Sequence, residues 1–356
     1  MQQIVVLRTI AVAMAATFVL SGCSQGTGGP AAGDASGPLI VYSNSVSDGR
    51  GEWLVEKAAT AGFEIEFVDM GGGDVQNRIV AEVNNPIADV VFGPNNVVFE
   101  NMKAADALEP YTPEWAGLVD ATVADGDDEN FWPIVKEPIM LVYDSAAYPG
   151  GEGAPEDWTD LWEKEEFHGL YETSTSLSGG TTQMVVTGIL TRYQDEAGYL
   201  GISDEGWTAI EQFYANGSPS VEATDLYARM ADESVTMGQM WLAGKVSREE
   251  EYGVTTKAVY PEVGVPIVYQ HIGLVAGNDK PEASREFIDW FGSAPVQAEW
   301  SQEFFTAPTN EDALTGADAA AVEVTNSFAQ QDIDWEFVAA NLPSWVEEIE
   351  LKYLGQ

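Results

Sequence analysis

PLIVYSNS (38–45), FEIEFV (63–68) and GGGDVQNRIVAEVNNPIADVVFGPN (71–95) carry the reading of the fold. Residues 38–42 form a short apolar run that ends on the polar cluster Ser43-Asn44-Ser45. A helical stretch follows over 53–61, and 63–68 then alternates as a strand. Gly71-Gly72-Gly73 opens a helix over 74–84. The apolar run 88–92 is halted by Gly93-Pro94-Asn95-Asn96. Strand, helix, strand, helix, strand, each strand closed by a polar or glycine-rich turn, predicts an α/β fold with a mostly parallel sheet. Ligands of open sheets of this kind sit beyond the carboxyl ends of the strands. The segments 43–45, 71–74 and 93–96 are three such ends and are expected to converge.

Working outward, IVKEPIMLVY (134–143) is apolar and extended, and Pro138 argues against a helix there. ETSTSLSGGTT (172–182) is a loop rich in hydroxyls and glycine that leads into a helix over 183–193. Free backbone N–H groups at a helix start make a ready anion site. Helices are predicted over 207–216, 223–232 and 280–291, and strands over 235–241, 258–263 and 271–275. A final helix over 338–353 is expected to break at Pro343.

Taken in order, LIVYSNS (39–45), residues 71–95, AVYPEVGVP (258–266) and GNDKPEASREFIDWFGSAPVQ (277–297) resemble the extracellular solute-binding proteins of bacterial ABC importers, in the branch named for ferric iron. The resemblance implies a two-lobed type 2 periplasmic-binding fold, each lobe a mostly parallel sheet flanked by helices, with a two-stranded hinge. Lobe one would hold 38–137 plus 271–313 and lobe two 144–265. Crossovers at 138–143 and 266–270 would join them, followed by a C-terminal helical segment, 314–356. The partners implied are an ABC permease and its ATPase, with the binding protein itself a monomer that captures a small molecule and carries no cofactor.

The N-terminus has its own logic. Residues 1–22 carry one positive charge, at Arg8, then an apolar run over 9–20 too short to span a bilayer at about 20 residues, then small residues. Leu20-Ser21-Gly22-Cys23 looks like a bacterial lipobox, so 1–22 is expected to be a lipoprotein signal peptide and Cys23 the acylated residue. The stretch 23–37, rich in Gly, Ala, Ser and Pro, is expected to be a flexible tether. The protein would then sit on the extracytoplasmic face of the cell membrane, held there through lipid alone. Acylation of the one cysteine leaves no thiol for a disulfide, a metal or a nucleophile.

The chain has 58 Asp and Glu against 15 Lys and Arg, a formal charge of −43 in 356 residues. So acidic a surface excludes nucleic-acid binding, which needs a basic patch. With 45% hydrophobic residues there is ample core material, so the charge reads as a solvated surface, the runs 125–129 and 249–251 included. Three ligand classes remain open. Hard ferric iron, or an iron chelate, calls for phenolates, and family members that bind it use adjacent tyrosines; none adjoin here, although Tyr42, Tyr143 and Tyr269 are available. A polyamine or thiamine would suit the acids and aromatics. A phosphate-, phosphonate- or carboxylate-bearing molecule suits the neutral donors Ser43, Asn44, Ser45, Gly72, Gly73, Asn95, Thr173, Ser174, Thr175, Ser178 and Gly179, and this reading is preferred. Trp241, Tyr269 and His271 are the aromatic candidates for the same cleft, and Arg50 and Arg78 the nearest cations. A secreted hydrolase is the least favoured alternative, because no nucleophile elbow, zinc-protease motif, phosphate loop or Cys/His metal spacing is present.

Overall fold

A computed structural model describes residues 37–354; the signal-peptide, lipobox and most of the tether expectations fall outside that range. The first strands are β1 (Leu39–Ser43), β2 (Ile65–Asp69) and β3 (Val90–Phe92), interleaved with helices α1 (Arg50–Ala61), α2 (Gly72–Ala81) and α3 (Asn96–Ala104). β1 pairs in parallel with β2 on one side and β3 on the other. Leu39, Val41, Leu54 and Phe92 form one apolar layer beneath this sheet, and Tyr42, Val75, Val91 and Phe99 form the other. That double burial is why β1 and β3 read as apolar runs, whereas β2 at the sheet edge alternates.

The long strand β4 (Trp132–Asp144) organises everything after it. Its first half pairs antiparallel with β7 (Ile267–Val275), from Trp132 opposite Ile272 to Pro138 opposite Ile267. Its second half pairs antiparallel with β5 (Met237–Trp241) and β6 (Thr256–Ala258). Pro138, which has no N–H to give, stands where β4 passes from one set of partners to the other. Parallel pairing is thus concentrated in β2–β1–β3, and the crossover strands add antiparallel neighbours.

Beyond Pro138 the core changes. Ile139 and Leu141 face a cluster with Met184, Ile189, Phe213 and Trp345, while Met140 and Val142 face another with Tyr227, Met240 and Ile267. The helix α4 (Gly180–Leu190) belongs to the first of these, and α5 (Leu242–Tyr252) follows β5 directly. Near the end of the chain, α6 (Pro281–Phe291) returns Phe287, Ile288 and Phe291 to the core under β1 and β3. The cores therefore form two lobes.

Two predicted elements need correction. The strand expected over 258–263 is only the tail of β6, because Pro261 and the left-handed Gly264 turn the chain away. The last helix, α7 (Trp335–Lys352), runs unbroken through Pro343. Val338, Leu342, Trp345 and Ile349 are all buried on its inner face, and that packing outweighs the one hydrogen bond the proline removes. The helix also packs against α3 of the other lobe. The acid run 125–129 is not wholly solvated either. Asp125 is buried, pairs with Lys103, and accepts from the Asn130 backbone and side-chain amides at 2.9 and 2.8 Å.

One buried ion pair ties the first strand to the start of α6. The Asp89 carboxylate, only 3% exposed, accepts from the Ile40 N–H at 2.8 Å and holds the Lys280 ammonium at 2.9 Å. Removing one member of such a pair leaves the other charge uncompensated, at about 3–5 kcal/mol. Asp89→Ala should lower the urea unfolding free energy by an amount in that range; a loss below about 1 kcal/mol would show the pair to be incidental.

Candidate functional site

The carboxyl ends of β1, β2 and β3 do meet, and they meet the start of α4 from the other lobe across a cavity of about 410 Å³. One wall carries Asn44, Ser45, Ser47, Arg50, Asp69, Gly71, Gly72, Gly93 and Asn95. The facing wall carries Gly179 to Thr182, Met184, Gln239 and Trp241. The floor is the pair of crossover strands, through Glu137 and Ile139 of β4 and Val268 and Gln270 of β7.

Two of the helices that start at the cavity, α2 and α4, face each other across it and begin at glycine. Gly71 precedes α2 and Gly179 precedes α4, and neither start has a side-chain cap. The first N–H groups of a helix have no acceptor within it, so two sets of donors and two positive dipole ends point at one space. The starts also touch: a Cβ on Gly71 would stand 2.9 Å from the Ser178 carbonyl oxygen. The chain reaches closest approach here because glycine is present.

Asn44 sits at the centre of the wall. A Cβ at Gly93 would stand 2.6 Å from its side-chain oxygen and one at Gly72 3.2 Å from its side-chain nitrogen, both tighter than normal packing, while one at Gly180 would make an ordinary contact at 3.7 Å. Gly93 also has φ +102°, the left-handed region that other residues avoid. The Asn44 side-chain oxygen is buried and has no hydrogen-bond partner among the described residues.

A hydrogen-bond chain fixes the floor. The Ser43 hydroxyl oxygen accepts from the Ser45 N–H at 3.0 Å, and the Ser45 hydroxyl donates to Gln270 Oε1 at 2.8 Å. Gln270 Nε2 in turn donates to Glu137 at 3.0 Å. Burial pushes the Glu137 carboxyl up; Arg50, the Gln270 amide and the Ala243 N–H oppose this. Arg50 is itself buried, 3.7 Å from Asp48, and is the one cation that the described residues place in the lining.

Of the residues expected from sequence, Asn44, Ser45, Gly72, Asn95, Gly179 and Trp241 line the cavity. Ser43 lies fully buried behind it as a support, and Asn95 spends its side-chain oxygen capping α3 through the Val98 N–H. Gly73 and Ser178 stand just outside the lining, beside Gln183 and Gly71 respectively. Thr173, Ser174 and Thr175 do not belong to the site. Glu172 and Thr173 pair as a short strand with Ser218 and Pro219, and this carries the loop to a different depression beside Tyr214 and Tyr353. The Ser174 hydroxyl donates to the Ser176 carbonyl and Thr175 pairs with Ser220, so their hydrogen bonds stay local.

Tyr269 and His271 also need correction. Val268 and Gln270 face the cleft, so the period of two along β7 turns their neighbours to the opposite side. His271 is fully buried between Phe99 and Phe131, bonded through Nε2 to the Val123 carbonyl, and burial pulls its pKa down to about 4. Arg78 lies away from the cavity as well, over the Tyr42 ring at 4.6 Å and paired with Glu82. Sequence reasoning placed Gly93 among the converging strand ends but missed Asp69, Gln239 and Gln270. Alternation along β7 would have found Gln270, whereas Gln239 carried no local signal.

The chain belongs to the bacterial extracellular solute-binding protein family, whose model matches residues 56–326. It is 33% identical over 318 residues to a probable ABC transporter periplasmic-binding protein of Sinorhizobium fredii, covering 88% of this chain and 86% of the relative. It is 24% identical over 326 residues to a periplasmic protein of Salmonella paratyphi A named for 2-aminoethylphosphonate binding, covering 85% and 89%. The fold matches the ferric binding protein of Campylobacter jejuni with a TM-score of 0.72 at 15% identity, over 89% of this chain and 99% of that one.

Because Gly93 combines a left-handed backbone with a would-be Cβ contact of 2.6 Å, Gly93→Ala should destabilise the protein by about 1–3 kcal/mol. Thermal unfolding reads this directly, and an unchanged midpoint would mean that the Asn44 wall relaxes freely.

Proposed function

We propose that this protein is the capture component of an ABC import system and takes up a small molecule bearing a phosphate, phosphonate or carboxylate group. The observation that carries the reading is the convergence of two helix starts without side-chain caps and the buried Arg50 on one cavity. Such N–H groups and a guanidinium recognise an oxyanion without a basic surface. The charge of −43 opposes anions only at long range, where salt screens it within about 8–10 Å. Glu137 and Asp69 in the same lining suit a protonated amine at the ligand's other end. That pairing agrees with the name of the Salmonella relative. A ferric site finds less support: Tyr42 lies under Arg78, and Tyr143 and Tyr269 line other cavities. Among the described residues, no group of three or more His, Cys, Asp and Glu is placed to hold a metal.

In this reading, 38–137 with 271–313 and 144–265 are the two jaws, hinged at 138–143 and 266–270. Segment 314–356 packs behind them. Closure would present the loaded form to the permease and its ATPase. Residues 1–22 would be removed as a signal peptide and Cys23 acylated, leaving the body on the tether 23–37 outside the membrane.

Two measurements test these points. Calorimetry with 2-aminoethylphosphonate should show binding that Arg50→Gln weakens by about 10–150-fold, the value of a lost charged hydrogen bond of about 1.5–3 kcal/mol. Equal affinity in both forms, or iron co-purifying with protein from its host, would refute the anion reading. Cys23→Ala should abolish incorporation of radiolabelled palmitate and release the protein from membranes; retention of both would refute the anchor.

A further inference from the structure

The two lobes are joined at the cleft mouth by charge as well as by backbone contact. Asp48, on the loop after β1, lies between two guanidiniums. Its Oδ2 is 3.7 Å from Arg50 of its own lobe and 3.3 Å from Nη1 of Arg248, which belongs to α5 of the other lobe. Arg248 is held in place from behind: its Nε donates to Asp225 at 2.8 Å, and its guanidinium lies over the Trp241 ring at 4.9 Å. Asp48 and Gly49 both have left-handed backbones, φ 56° and 80°, so a tight turn sets the carboxylate just ahead of α1. Arg50 and Trp241 line the ligand cavity, whereas Asp48 and Arg248 stand beside it.

We infer that Asp48 is a closure latch that couples anion capture at Arg50 to the joining of the lobes. The inference rests on the reading that the ligand's anion meets Arg50. With the cleft empty, Asp48 divides its charge between Arg50 and Arg248. An anion on Arg50 satisfies that guanidinium and leaves Asp48 to Arg248 alone, across the lobe boundary. The pair is only partly exposed, with side chains 32% and 17% accessible, so it is screened less than a free surface pair. Capture at one lobe thus strengthens the bond to the other, and an uncharged molecule filling the same space would leave the carboxylate divided.

The test uses the full-length protein with 2-aminoethylphosphonate as the probe. Stopped-flow binding should show Asp48→Asn and Arg248→Gln each raising the dissociation rate by about 5–20-fold, with association altered less than about twofold. Asp48→Asn combined with Arg248→Gln should fall well short of the product of the two single effects, since either change alone already breaks the Asp48–Arg248 pair. Arg248→Lys, which keeps the charge, should recover much of the loss. Small-angle scattering of the ligand-free single variants should show a larger radius of gyration than wild type. Effects that multiply in the double variant, or an unchanged radius of gyration, would overturn the latch. If wild type does not bind the probe, the ligand reading falls and the scattering result alone decides the latch.

Discussion

Continuous burial of β4 on both faces is the constraint from which the rest of the molecule follows. A strand of thirteen residues that pairs with β7 at one end and with β5 and β6 at the other belongs to two cores at once. Because both ends are fixed by apolar packing, the stretch between them becomes the floor of a cleft, and whatever side chain stands there faces the ligand space. Glu137 stands there. Its carboxylate is tolerated only because the Gln270 amide, the Ala243 N–H and the nearby Arg50 offset the loss of water.

The charge distribution has a similar logic. The chain is acidic in bulk, yet the space between its lobes is lined by helix starts, amides, hydroxyls and one arginine beside only two carboxylates, Asp69 and Glu137. The surface and the cleft thus obey different electrostatics: the first is set by many side-chain charges screened by salt, the second by a few charged side chains and helix starts that salt reaches poorly. This separation is why total charge is a poor guide to the ligand.

Much of this was legible in the sequence because it follows from local rules. Apolar runs halted by Ser43-Asn44-Ser45 and by Gly93-Pro94-Asn95 gave the strand ends and half of one wall. Glycines at 72 and 179 marked the helix starts that open onto the cavity. What failed, failed for non-local reasons. The hydroxyls of Ser174 and Thr175 have the right chemistry, but pairing of Thr173 with Pro219 carries them elsewhere. His271 and Tyr269 lie one residue from cleft positions, and a single step along a strand reverses the face. Pro343 was expected to break a helix that buried Trp345 and Ile349 keep intact.

The crowding around Asn44 has a consequence for how such a site can change over generations. Gly72 and Gly93 come from separate segments, yet both yield space to one amide. A larger residue at Gly93 is blocked by the Asn44 oxygen, the Ser45 Cβ and a left-handed backbone together, whereas one at Gly72 needs only the Asn44 amide to move aside. Position 93 is therefore held to glycine whatever stands at 44, while change at 72 is tied to the asparagine, so the wall of the pocket varies more readily at one glycine than at the other.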